Sequence, residues 1–192
     1  MLTLENHWVS QARHLPSPNA NARPDPADIR LIVVHNISLP PAEFGGPYVD
    51  QLFSNCLDPD AHPYFATIAH LKVSAHFLIC RDGELRQYVP CDQRAWHAGQ
   101  SSWRGEANCN DFAIGIELEG ADTVPFTSAQ YDQLVLLIQA LRQTYPGIAA
   151  DAIVGHEHIA PGRKTDPGPA FDWDGLWRRL AAHGSPGENR TS

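Results

Sequence analysis

The chain has no apolar run long enough to cross a bilayer, and its opening stretch, MLTLENHWVSQARHL, lacks both the basic start and the apolar centre of a secretory signal. Positive charge is also scarce. Against 22 Asp+Glu stand 14 Lys+Arg, a formal net charge of −8, which argues against long-range attraction to nucleic acid or to an anionic membrane. An anionic small molecule would need a local basic pocket. Cysteine is sparse, and Cys56, Cys80, Cys91 and Cys109 show no C-x-x-C pair and no disulfide-dense spacing. Reduced, mostly buried thiols in a cytoplasmic protein are the expectation, and the sequon at Asn189 then reads as chance.

What is present is enough for one core. With 192 residues at 43% hydrophobic content, a single domain over 1–182 is expected. Its first 28 residues, polar and proline-rich, read as an extended arm over the surface, and 183–192 as a flexible tail. IRLIVVHNI (Ile29–Ile37) is a β-branched run that predicts a strand buried on both faces. YVDQLFSN predicts a short helix, and SAHFLICRDGELRQYVP predicts two strands around an Asp-Gly turn. AWHAGQSSWRGEANCND reads as a long irregular loop. In DFAIGIELEG, Phe112, Ile114, Ile116 and Leu118 fall on one face of a strand and Ala113, Gly115, Glu117 and Glu119 on the other. Thr127 and Gln130 form a capping-box pattern ahead of a helix that ends before Pro146 and Gly147. A short strand, AIVGH, follows, and a last helix capped by Asp172 is expected to turn Leu176, Trp177 and Leu180 inward. The fold class is α/β (α+β), a central mixed sheet flanked by helices.

Chemistry concentrates at strand ends and in GHEHIAPGRKTDPGP (Gly155–Pro169), whose glycines and prolines argue against a helix. His35, His156 and Asp166 make a ligand set suited to Zn²⁺, three protein ligands leaving a fourth position open for catalysis. A hydrolase also needs a general base and a cation for the developing oxyanion, roles open to Glu117 and Lys164. Taken singly, each of these histidines reads more readily as a packed or surface residue, and each charge as a solvated one.

The stretches LIVVHNISLPP, EFGGPYVDQLF, DPDAHPYFATIAHLKVSAHFLI, RAWHAG, CNDFAIGIELEG and GHEHIAPGRKTDPGPAFDW, in that order, closely resemble the AmpD-type N-acetylmuramoyl-L-alanine amidases. Those enzymes share a fold with peptidoglycan recognition proteins and the bacteriophage T7-type amidase. The resemblance runs from about Trp8 to about Trp177. It implies one zinc ion per chain on His35, His156 and Asp166, with Glu117 as the catalytic carboxylate and Lys164 near the reacting carbonyl. It further implies cleavage between the lactyl group of N-acetylmuramic acid, preferentially the 1,6-anhydro form, and L-alanine, during cytoplasmic peptidoglycan recycling. Where recycling is coupled to β-lactamase induction, such enzymes lower the inducing muropeptide. The implied partner is a small muropeptide bound by a monomer, without nucleic acid or membrane.

Asn36, Lys72, His97, Asn108, Ala160 and Arg163 are the substrate-side candidates. Lys72 and Asn108 stand where relatives usually carry arginine, so a point charge and a neutral amide replace two bidentate forks. Trp96 beside His97 offers a flat surface for a sugar ring. His76 reads equally as a cleft residue or as a packed strand histidine. A second functional reading is a non-hydrolysing muropeptide-binding module on the same fold; the full set of five catalytic-type residues favours the enzyme.

Overall fold

The computed structural model describes residues 1–184, so the Asn189 sequon and most of the expected tail lie outside the described residues. In chain order the strands and helices are β1 (Leu4–Glu5), β2 (Trp8–Val9), β3 (Arg13–His14), β4 (Ala20–Ala22), β5 (Leu31–Ile37), α1 (Tyr48–Phe53), β6 (Phe77–Ile79), β7 (Leu85–Gln87) and β8 (Gln93–Ala95). There follow β9 (Ser102–Trp103), β10 (Glu106–Ala107), β11 (Ala113–Glu119), α2 (Ser128–Thr144), β12 (Ile153–Gly155), α3 (His156–Ile159) and α4 (Trp173–Gly184). Among the described residues no helix is long and apolar enough to cross a membrane.

Six strands form one mixed sheet in the order β12-β5-β11-β6-β7-β3. The first four run parallel, β7 returns antiparallel to β6, and β3 lies parallel to β7 at the edge. β5 and β11 pair in register from Leu31↔Ala113 to Ile37↔Glu119. The apolar side chains of β11 and those of β5 from Leu31 to Val34 are buried on both faces, as the β-branched run of β5 requires, with Ile37 half-buried at the strand end.

Alternation along the strands divides the core in two. Phe77 and Ile79 of β6 join Ile114, Ile116 and Leu118 of β11 in a cluster with the inner faces of α2 and α4. Leu78, between them, turns to the opposite face and packs with Val49, Leu52 and Phe53 of α1. The result is three layers, with helices on both sides of the sheet. α2 starts on the expected capping box: Gln130 N–H donates to Thr127 Oγ1 at 3.1 Å and Thr127 N–H to Gln130 Oε1 at 3.1 Å. The fully buried Gln130 amide donates onward to the carbonyls of Ile79 and Glu119, pinning the helix start to the ends of β6 and β11.

Four local expectations need correction. The arm is not confined to the surface: β3 extends the sheet, Val9 is fully buried, and Arg23 is 4% exposed with its guanidinium donating to four backbone carbonyls. Burial lowers the Arg23 pKa to about 10. The loop after Trp96 contains the β9–β10 hairpin, whose central residues Arg104 and Gly105 both take positive φ; a glycine serves such a turn well, but an arginine in it gives no sequence signal. Trp177 is exposed and stacks on Trp173, because Leu176 already occupies the inward stripe with Leu180 at its margin. Finally, His156–Ile159 is a single helical turn in the stretch read as unable to form one. The cysteines behave as expected, with Cys80, Cys91 and Cys109 buried, Cys56 exposed and all four unpaired.

Candidate metal and catalytic site

Parallel pairing assembles the site at the carboxyl ends of the central strands. His35 and Glu117 are direct partners across the β5–β11 ladder, so their side chains leave the sheet on the same face. β12 ends at Gly155 opposite Val34, which places His156, the next residue, beside His35. Gly155 N–H donates to His158 Nδ1 at 2.8 Å, so His158 caps α3 instead of facing the metal candidates. The chain then folds back sharply: Ala160 C=O accepts from the N–H groups of Arg163 and Lys164, Gly162 supplies a φ of 75°, and Glu157 N–H donates to Asp166 C=O at 3.0 Å. That hook returns Asp166 to the two histidines.

Three donor atoms converge. His35 Nδ1 lies 3.0 Å from His156 Nδ1 and 3.0 Å from Asp166 Oδ2, and His156 Nδ1 lies 3.1 Å from the same oxygen. His156 Nε2 sits 3.0 Å from the carbonyl of Ala98, which can only accept, so a His156 that ligates a metal through Nδ1 would direct its Nε2 proton to that carbonyl. Burial pushes the His35 imidazole down to about 4, keeping it neutral. Burial alone would raise the Asp166 carboxyl, but hydrogen bonds to His156 and His35 hold it well below the usual carboxylate range. The Asp166 carboxylate oxygen and the two imidazole Nδ1 atoms thus meet at one spot, where groups that hydrogen-bond to one another could instead turn lone pairs to a cation. A tetrahedral zinc ion with bonds of about 2.0–2.1 Å spaces its ligands about 3.3 Å apart, close to the spacing found. These residues fit a zinc ion, and they are the group among the described residues with metal-binding geometry.

The three donors open into a cleft of about 500 Å³ that Glu117, Lys164, Asn36, His97 and Trp96 also line. Glu117 is 8% exposed and its Oε2 has no hydrogen-bond partner. Burial, reinforced by the Asp166 carboxylate and partly offset by Lys164, raises its pKa well above the usual carboxylate range. A buried carboxyl with a free oxygen and a raised pKa is suited to carrying a proton back and forth. Lys164 is exposed at the rim.

The substrate-side candidates divide. Asn36 reaches the cleft, its amide donating to Asp122 Oδ1 at 2.7 Å and to the carbonyl of Pro167. His97 lies deeper than a substrate contact was expected to, with its Nδ1 3.0 Å from His35 Nε2. Lys72, Asn108, Ala160 and Arg163 are not brought to the cleft wall. Lys72 is exposed; Asn108, at a φ of 61°, leads into the turn Cys109–Asp111; Ala160 spends its backbone inside the hook; the Arg163 guanidinium donates to the carbonyls of Ala98 and Gln100. His76 is fully buried, its Nδ1 accepting from Gly115 N–H at 3.0 Å, so the packed reading holds. Sequence reasoning passed over Asn110, whose Oδ1 accepts from the N–H groups of His97 and Ala98. The alternation in β11 put Gly115 on the Glu117 face but gave no sign that the His97 ring packs against it.

Comparison with known proteins gives the same direction. A family model described as N-acetylmuramoyl-L-alanine amidase matches residues 25–169. The chain is 62% identical over 172 residues to 1,6-anhydro-N-acetylmuramyl-L-alanine amidase AmpD of Enterobacter cloacae, covering 90% of this chain and 91% of that one. A crystal structure of a selenomethionine AmpD derivative superposes with a TM-score of 0.89 at 60% identity, covering 92% of this chain and 98% of that one. The amidase AmiD from Escherichia coli, solved with its substrate anhydro-N-acetylmuramic acid-L-Ala-D-gamma-Glu-L-Lys, aligns at 28% identity with a TM-score of 0.57, over 93% of this chain and 65% of that one. With the model spanning most of its length and relatives this similar along nearly all of it, the chain belongs to the N-acetylmuramoyl-L-alanine amidase family.

Proposed function

We propose that this protein hydrolyses the amide joining the lactyl carbonyl of 1,6-anhydro-N-acetylmuramic acid to L-alanine in muropeptides, as a zinc-dependent step of peptidoglycan recycling. The same reading takes it as one amidase domain acting as a cytoplasmic monomer. The observation that carries the reading is the convergence of His35, His156 and Asp166 in a cleft that also holds an unpartnered, buried Glu117. Similarity to AmpD over most of the chain supports the choice of substrate. A zinc ion on those three residues would supply Lewis-acid polarisation and a nucleophile at neutral pH.

The chain's own groups do the rest. Glu117 takes the proton of the attacking water and then hands it to the departing amine of L-alanine, so one carboxyl acts as base and acid in turn. The Lys164 ammonium, at the rim of the same cleft, stabilises the negative charge growing on the carbonyl oxygen. Asn36, held by Asp122 and Pro167 at the cleft wall, is the side chain this reading takes as a substrate contact. Incubation with a purified anhydro-muropeptide, followed by mass spectrometry, should yield the anhydro-sugar and a stem peptide with a free alanine amine. Intact substrate, or cleavage at another bond, would remove the reading in favour of recognition without hydrolysis.

A further inference from the structure

Both candidate histidine ligands lean on consecutive residues of one loop. His35 Nε2 meets His97 Nδ1 at 3.0 Å, and His156 Nε2 meets the carbonyl of Ala98 at 3.0 Å. The two N–H groups of that dipeptide are held from behind by one side chain, Asn110 Oδ1 accepting from His97 N–H at 3.1 Å and from Ala98 N–H at 2.8 Å, while the Ala98 carbonyl also accepts from Arg163 Nη2 at 2.7 Å. Asn110 is 6% exposed, and its own carbonyl receives a hydrogen bond from Arg23 Nη1 at 3.1 Å. The His97 ring rests on Gly115, where a Cβ would fall 2.4 Å from its Cγ.

We propose that His97 and Asn110 are positioning residues for the metal: His97 Nδ1 accepts the Nε2–H of His35, leaving the His35 Nδ1 lone pair free for the ion, while Asn110 fixes the loop that orients both ligands. The tautomers follow from the donors and acceptors available. A ligating His35 must carry its proton on Nε2, and the nearest group able to receive that proton is His97 Nδ1. His97 then carries its own proton on Nε2, the ring nitrogen that is shielded from solvent and has no partner. Outer hydrogen bonds of this kind set the orientation and basicity of a metal-bound imidazole. Nothing in the two residues' immediate sequence announces the role, since one is a loop histidine and the other an amide in a short turn.

The inference rests on the zinc assignment above and is separable from it by experiment. Zinc affinity of the full chain would be measured by competition with a chromophoric chelator for the native protein and for His97→Leu, His97→Asn, Asn110→Ala and Asn110→Asp. Loss of the acceptor in His97→Leu and in Asn110→Ala should weaken zinc binding by about tenfold to a hundredfold. Asparagine at 97 can place an amide oxygen near the lost Nδ1, and aspartate at 110 keeps both acceptor contacts, so these two variants should recover most of that loss. In the zinc-loaded native protein, ¹⁵N spectra should show His35 and His97 both protonated at Nε2. Native-like affinity in His97→Leu and Asn110→Ala, equal loss in the acceptor-keeping and acceptor-lacking variants, or a proton on His97 Nδ1 would overturn the inference while leaving the metal site standing. A native protein that binds no zinc would overturn both.

Discussion

Replacement of Gly115 by alanine is a stringent test of how the site is packed. An ideal Cβ at that position falls 2.4 Å from His97 Cγ, 2.6 Å from Nδ1 and 2.7 Å from Cδ2, whereas nonbonded carbons rest about 3.5–4.0 Å apart. The ring must therefore give way by roughly 1 Å. It has little freedom to do so, being held at Nδ1 by His35 and at its backbone N–H by Asn110. A good hydrogen bond tolerates only about half an ångström of variation. The backbone of Gly115 is ordinary strand, without positive φ, so steric crowding is the whole perturbation. Overpacking of this sort costs about 1–3 kcal/mol, which for a chain of this size lowers the melting temperature by about 2–12 °C. Zinc affinity should fall with it, by about tenfold or more, because the displaced ring is the support of His35. Thermal unfolding of the zinc-free protein and chelator competition read the two effects separately. A melting temperature and a zinc affinity both unchanged in Gly115→Ala would refute the packing described here.

Other perturbations bear on different parts of the site. Glu117→Gln keeps shape and removes the proton carrier, so turnover should fall by about 10²–10⁴-fold; zinc content by elemental analysis should stay the same, and substantial residual turnover would remove Glu117 from its role. Lys164→Ala should lower kcat by about 10²–10³-fold, as loss of an oxyanion partner does; a change confined to KM would make it a binding residue. Thiol labelling of the native protein should modify Cys56 first. Cys91 is fully buried, and burial pushes both its thiol and that of Cys80 up to about 12, so rapid labelling of all four cysteines would contradict the packing of the core.

Much of this structure was legible in the chain because local and global signals agreed. The β-branched run of β5, the alternation in β11, the capping box at Thr127 and the Asp-Gly turn each act within a few residues, and each is found where expected. His35, His156 and Asp166 are separated widely along the chain, yet each adjoins a strand end or a rigid hook, so topology alone brings them together. The supports of the site were not legible in the same way. Asn110 acts through its side chain on another loop's backbone, and Arg163 looks like a free cation until its guanidinium is seen to hold the carbonyls of Ala98 and Gln100. The proline-rich arm misled for a related reason. Its composition describes most of its residues, but the buried anchors Val9, Asn19 and Arg23 are each satisfied by partners distant in sequence.

The central claim is that His35, His156 and Asp166 hold a zinc ion on which hydrolysis depends. It is tested most directly by following stem-peptide release from a purified anhydro-muropeptide before chelation, after chelation and after zinc is returned. The account predicts release at the start, loss on chelation and recovery with zinc. Undiminished release from fully zinc-free protein, or muropeptide binding without release at full zinc occupancy, would contradict it.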